Sequence, residues 1–280
     1  MTALRVGLPE IRKAIRVAAN DSSRVTGLTH RLYKYPARFS PTFVSSAISA
    51  FSNPGDIVLD PYMGGGTTIV EAMATGRQAV GCDLNSLAVF ISKVKTAVLS
   101  ERELAAITHW ALHVVPAIRY SDASIEAEED MGDERTRNLH LPWVRPLKKF
   151  IALTVQSLST LPSENSERFA RCAILNVSQW ALNGKKTKVS LETFRTRLAI
   201  RTLELLDESR TFRRKLAELE TVHRPSLKHG SAAEIHKHSF WKRGQLADLV
   251  ITSPPYPGIH VLYHRWQVDG RKERYLLQDY

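Results

Sequence analysis

Apolar residues recur along this chain in two rhythms. The first is a short, unbroken run flanked by turn chemistry. Ile57-Val58-Leu59 follows the turn Asn53-Pro54-Gly55-Asp56 and ends at Asp60, Gln78-Ala79-Val80-Gly81-Cys82 ends at Asp83, and Ala247-Asp248-Leu249-Val250-Ile251-Thr252 runs into Ser253-Pro254-Pro255-Tyr256. Runs this short predict strands of a parallel sheet, buried on both faces. The second rhythm has helical spacing. It predicts a short basic helix over 9–19, a helix from near Pro41 that turns Phe43, Ala47, Ile48 and Phe51 inward, and a helix over Thr67–Thr75 closed by Gly76 and Arg77. Helices over 86–97, 101–118, 142–160, 166–182 and 190–220 follow, with loops at Asp21–Gly27, Glu126–Glu134 and Leu161–Ser166.

Strand, glycine loop, helix, strand and acidic residue in that order make one half of a nucleotide-binding α/β unit. The long helical block interrupts this pattern, which resumes at Ser226–Ser231. Three regions are expected: 1–98, the cofactor-binding half of an α/β domain; 99–220, a helical insertion; and 221–280, the half that carries the second motif. No repeat or low-complexity tract marks another boundary.

Composition narrows the classes. At 280 residues and 43% hydrophobic, the chain is long enough for one large α/β domain with an insertion. It has no run of about eighteen apolar residues, so no membrane span is expected. Its charged N-terminus lacks the apolar core of a secretory signal. Cys82 and Cys172 are far apart in no ligand-like spacing, which speaks for a reducing compartment and against zinc or a disulfide scaffold. Lys and Arg outnumber Asp and Glu by 39 to 28, a formal net charge of +11. Such an excess suits a polyanionic partner, although a solvated basic surface carries the same count. It is dense early, where Arg5, Arg12, Lys13, Arg16, Arg24, Arg31, Lys34 and Arg38 face only Glu10 and Asp21.

Two motifs carry chemistry. In Asp60-Pro61-Tyr62-Met63-Gly64-Gly65-Gly66-Thr67-Thr68, glycines let the backbone approach a ligand closely, and the next helix starts with free N–H groups aimed into the same space. Asp83, at the end of the second strand, stands where a carboxylate accepts both hydroxyl hydrogens of a ribose; the alternative is a helix N-cap. The second motif is Thr252-Ser253-Pro254-Pro255-Tyr256. The amino nitrogen of cytosine or adenine is a poor nucleophile because its lone pair is delocalised into the ring. Acceptors on both its hydrogens draw that lone pair out of conjugation. A serine hydroxyl and a proline carbonyl, held outward by the rigid di-proline, can supply them. Tyr256 then offers a face on which a flipped-out base can stack.

These residues resemble the amino-methyltransferase family of DNA methylases. In that family an Asp-Pro-Phe-x-Gly-x-Gly-Thr-Thr loop binds S-adenosyl-L-methionine, and a Ser/Asp/Asn-Pro-Pro-Tyr motif is catalytic. The resemblance extends to Lys34-Tyr35-Pro36-Ala37-Arg38-Phe39, a segment that in the family closes over the methionine end of the cofactor, and to Gly230-Ser231-Ala232, where the family contacts the adenine ring. It implies a Rossmann-like methyltransferase sheet. The cofactor would be held by Lys34, Tyr35, Pro36, Asp60, Pro61, Gly64, Gly66, Thr67, Thr68, Asp83 and Ser231. Ser253, Pro254, Pro255 and Tyr256 would be catalytic, and no metal would be needed. Ser253 before the di-proline resembles the cytosine-N4 enzymes more than the adenine-N6 ones. Double-stranded DNA is the implied substrate, and a restriction enzyme the implied companion in a bacterial cytoplasm, close to the nucleoid. The helical block would be a target-recognition insert, with Lys185, Lys186, Lys188, Arg195, Arg197, Arg201, Arg213 and Arg214 on phosphates, or else a packing accessory. Too few residues follow Tyr256 for the remaining strands of such a sheet. The expectation is therefore a chain that lacks its C-terminal strands, completed by a second chain or surviving as a non-catalytic remnant.

Overall fold

The computed structural model describes residues 7–23, 25–35, 38–119, 144–182, 189–242 and 244–254, with the backbone of 267–268 and 271–272. Pro36, Pro255, Tyr256, the Glu126–Glu134 stretch and Lys185, Lys186 and Lys188 lie outside the described residues. Two compact units emerge, one drawn from Met1–Val98 and Glu208–Ile259 and the other from Leu99–Asp207 and His260–Tyr280.

The first unit is built on a parallel sheet. Strands β1 (Ile57–Asp60), β2 (Gln78–Asp83), β3 (Ser226–His229) and β4 (Leu249–Val250) lie in the order β3-β2-β1-β4. All four residues of β1 are buried, as the unbroken apolar run requires. Val58 faces one side, packing with Val44, Ala47 and Ile48 of α2 (Pro41–Phe51), with Ile69, Val70 and Met73 of α3 (Thr67–Ala74), and with Phe212 and Leu216 near the end of the longest helix among the described residues. Ile57, Leu59 and Val80 face the other side, against partly buried Ile235, Phe240 and Trp241. A basic helix α1 (Leu8–Ala19) precedes α2, and α4 (Ser86–Thr96) follows β2.

Two expectations are corrected here. Phe51 is 54% exposed, and Val44 joins Ala47 and Ile48 on the buried stripe of α2 instead, the 3.6-residue period running through 44, 47 and 48. The strand expected over Ala247–Thr252 is regular only at Leu249–Val250. Backbone bonds Asp248 N–H to Ile57 O and Ile251 N–H to Leu59 O, both 3.0 Å, extend the pairing on either side. Beyond them Pro254 has no N–H to donate and restricts Ser253 to extended backbone.

The second unit is helical. Helix α5 (Glu101–His109) opens on a capping box between Ser100 and Glu103 and runs on through a π turn, Trp110–Val114, where one helix over 101–118 was expected. Helices α6 (Arg145–Gln156), α7 (Glu164–Leu182) and the first half of α8 (Leu191–Ala217) follow among the described residues. Trp110, Phe150, Phe169 and Phe194 are fully buried there, with Phe150 and Phe194 edge to face at 5.9 Å. Three of the arginines expected on phosphates make contacts inside this unit. Arg195 donates to the Ile118 carbonyl and stacks on Phe150, Arg197 lies over Trp180, and Arg201 pairs with Glu204 and Asn176. A small antiparallel pair, β5 (Gln267–Val268) and β6 (Arg271–Lys272), closes the described backbone.

Because Phe212 is fully buried in the sheet unit's core, Phe212→Ala is expected to cost about 3–5 kcal/mol, measured by urea denaturation. A loss under about 1 kcal/mol would mean that α8 does not close this core.

Candidate active site

In an open parallel sheet, ligands bind beyond the carboxyl ends of the strands, where neighbouring connections leave in opposite directions. Here that point lies between β1 and β4, and the expected residues collect around it. Asp60 ends β1, Thr252, Ser253 and Pro254 follow β4, and Asp83 ends β2. Asp60 is only 2% exposed, and its carboxylate accepts hydrogen bonds from the Thr252 hydroxyl at 3.0 Å and the Tyr62 N–H at 3.1 Å. Burial pushes its pKa up to about 6 from the ordinary 3.8; these hydrogen bonds oppose the rise, and the Asp83 charge adds to it.

The loop after β1 is folded back onto β2. Gly64 N–H donates to one Asp83 oxygen and Asn85 N–H to the other, both at 2.9 Å. Met63 N–H reaches the Cys82 carbonyl at 3.1 Å, and Gly66 N–H closes the turn onto Met63 O at 2.8 Å. Gly64 and Gly66 have φ of +47° and +73°, left-handed values that favour glycine. Packing is as strict as backbone angle. A Cβ on Gly65 would lie 2.7 Å from the Tyr35 Cβ, and one on Gly66 2.5 Å from the Ser92 hydroxyl. Thr67 and Thr68, expected to meet a cofactor, are buried in the first turn of α3. Pro61 is half-buried, its carbonyl facing the Cys82 thiol at 3.3 Å.

The N-cap alternative for Asp83 does not hold. Asn85, not Asp83, caps α4, accepting from Leu87 N–H at 2.9 Å. Asp83 is left half-buried with both oxygens on loop N–H groups. Gly230 N–H bonds the Asp83 carbonyl at 3.0 Å, bringing Ser231 close by, where its hydroxyl caps a short 3-10 turn through Ala233 N–H. Tyr35 is buried across the glycine loop, its hydroxyl accepting from Asn85 Nδ2 at 3.2 Å, while Lys34 is exposed. Ser253 is half-buried and Pro254 exposed.

Tyr35 is delivered by a segment laced into the helices. Thr29 Oγ1 donates to the Lys95 carbonyl at 2.7 Å, and His30 Nε2 meets Glu71 Oε1 at 2.7 Å with both side chains buried. Burial lowers the His30 pKa against the pull of Glu71, so the neutral ring donates Nε2–H to the carboxylate. Sequence reasoning quoted Thr252 at the head of the second motif without a role of its own and assigned none to Asn85 or Lys95. Asn85 suits a helix N-cap, and Lys95 stands at helical spacing from Ala88, Ile91 and Ser92 on a buried face.

Two carboxylates at the strand ends beside a glycine-lined loop suit a cationic ligand that carries hydroxyl groups. A phosphate would meet repulsion from both. Among the described residues no group of three or more His, Cys, Asp or Glu is placed to hold a metal ion.

Residues 15–93 match the family described as DNA methylase. The chain is 25% identical to the type II methyltransferase M.MvaI of Kocuria varians over 85% of its own length and 57% of that protein's. Two shorter matches cover 24% of the chain each: 41% identity to the DNA adenine methyltransferase YhdJ of Escherichia coli, over 22% of that protein, and 36% to the type II methyltransferase M.MjaII of Methanocaldococcus jannaschii, over 12%. The chain thus spans less than two thirds of each of these relatives. No solved structure matches it.

The Asp60 carboxyl gives a pH test. The folded protein holds this proton more tightly than the unfolded chain, so its contribution to stability is full below 3.8 and is lost as pH rises through about 6. Asp60→Asn keeps an acceptor for Tyr62 N–H and Thr252. The variant's stability relative to the parent is expected to improve by on the order of 3 kcal/mol between about pH 4 and pH 8, read from urea unfolding at each pH. A difference independent of pH would show that Asp60 is not held in this environment.

Proposed function

We propose that this chain, whose residues 15–93 match the family described as DNA methylase, transfers a methyl group from S-adenosylmethionine to the N4 amino group of cytosine in duplex DNA. The observation that carries this reading is the Thr252–Asp60 hydrogen bond, which ties the residue before Ser253-Pro254 to the end of the strand that opens the glycine loop. Donor and acceptor chemistry thereby share one end of one sheet.

The donor fits the residues present. It bears a sulfonium and an ammonium, which two carboxylates favour, and a ribose diol, for which Asp83 retains lone pairs beyond those used by Gly64 and Asn85. Gly64, Gly66, Pro61 and the first turn of α3 with Thr67 and Thr68 would line its approach. Tyr35, flanked by Lys34 and Pro36, would cover it, and Ser231 would stand beside its adenine. When bound, S-adenosylmethionine supplies a methyl group on a positively charged sulfur that departs as a neutral thioether. The protein's part is alignment and polarisation. The Ser253 hydroxyl and the Pro254 carbonyl, kept rigid by Pro255 behind it, would accept the two amino hydrogens of a flipped-out base on which Tyr256 would stack. The net charge of +11 supports a polyanionic substrate.

Methylation at adenine N6 is the second reading. The similarity to a relative named for adenine supports it, while serine in front of the di-proline supports cytosine.

Transfer of labelled methyl to unmethylated DNA, followed by digestion to nucleosides, tests both. The expected product is N4-methylcytosine, with transfer falling by about a hundredfold or more in Ser253→Ala. Label in N6-methyladenine would move the reading to adenine; equal transfer by Ser253→Ala would remove that residue from the chemistry.

A further inference from the structure

Lys95 lies on the buried face of α4 with its side chain 0% exposed. An ammonium in such a place is costly unless hydrogen-bonded. Its Nζ donates to the Gly65 carbonyl at 2.7 Å. One turn earlier on the same face, the Ser92 hydroxyl donates to the Gly64 carbonyl at 3.3 Å. Two consecutive carbonyls of the glycine loop are therefore drawn toward α4. The C=O and N–H of a planar trans peptide point in opposite directions, so the amides of those two peptides face away from α4, and that of Gly66 closes the turn onto Met63 O.

The opposite side of the loop is held from the same lysine. Its own carbonyl accepts from fully buried Thr29, and His30 is fixed to Glu71 of α3. This pair anchors the segment that carries Tyr35. A Cβ on Gly65 would meet the Tyr35 Cβ at 2.7 Å and the Lys95 Nζ at 3.6 Å, so the loop runs between the two with room for a hydrogen atom only.

We propose that Lys95 is a positioning residue for the methyl donor: its buried ammonium fixes the Gly65 carbonyl, next to the Gly64 carbonyl held by Ser92, and so sets the glycine loop against the Tyr35 segment, which Thr29 ties to the main chain of Lys95. It touches neither reacting atom. Loss of its charge therefore disorders the surface on which the donor lies and leaves the acceptor chemistry after β4 as it is.

The proposal rests on the donor-binding reading above, and binding of S-adenosylmethionine to the full chain without DNA separates the two. Lys95→Met keeps the stem and loses the ammonium. Its donor Kd, measured by calorimetry well below its melting temperature, is expected to rise about tenfold or more, the loss associated with one charged hydrogen bond. In the transfer reaction the KM for donor rises likewise, while kcat changes less than about threefold. A purely structural lysine would lower the melting temperature and the active fraction without moving the donor KM, and that result overturns the proposal. Should Lys95→Met not fold, Ser92→Ala decides: a donor Kd raised by about threefold supports the proposal, and an unchanged Kd contradicts it. If the parent chain binds no donor, the donor-binding reading fails and the proposal with it.

Discussion

The Asp60 carboxylate is the constraint on which the rest of the site depends. It closes a strand buried on both faces, is itself 2% exposed, and accepts hydrogen bonds from Thr252 and the Tyr62 N–H that oppose the rise in its pKa caused by burial. Such a group works against stability at neutral pH, and a domain concerned only with stability would be better served there by an amide or an apolar side chain. Together with the Ile251 N–H bond to the Leu59 carbonyl, the Asp60 carboxylate holds Thr252 beside β1 where the chain leaves β4 for Ser253 and Pro254. The second motif is thus tied to the end of the strand that opens the first.

The glycine loop is shaped from behind as much as from the ligand's side. Gly64 and Gly66 need their left-handed backbone, but Gly65 is glycine because Tyr35 presses against it, and Gly66 also because Ser92 does. Asp83 pins the loop's first amide to β2. The result is a backbone surface with little freedom to adjust, as the proposed methyl transfer would demand of a protein whose part is alignment.

Much of this was legible in the sequence. The runs Ile57-Val58-Leu59 and Gln78–Cys82 became β1 and β2 because unbroken apolar residues between turn signals have few other ways to be buried. Pro41 and Gly76 marked helix ends through their own backbone limits. The resemblance singled out Asp60, Asp83, Ser253 and Pro254, which the structure brings to one end of the sheet. Tertiary contacts were not legible. Asn85 competed with Asp83 for the cap of α4 and took it, which local sequence could not settle because both side chains suit the position. Arg195, Arg197 and Arg201 suited phosphate contacts or a packing accessory equally, and inside the helical unit Phe150 and the Ile118 carbonyl receive Arg195, Trp180 receives Arg197, and Asn176 and Glu204 receive Arg201. Thr252 gave no sign of its role, since its partner lies far away in the chain.

The central claim is that the methyl donor lies on the loop between β1 and α3, faced by Asp60 and Asp83 and covered by Tyr35. Hydrogen–deuterium exchange of the full chain with and without S-adenosylmethionine tests it most directly. The account predicts slowed exchange in peptides covering 60–67, 83–85 and 29–35. Donor binding that protects only α6 and α7, or that leaves the glycine loop unchanged, would contradict it.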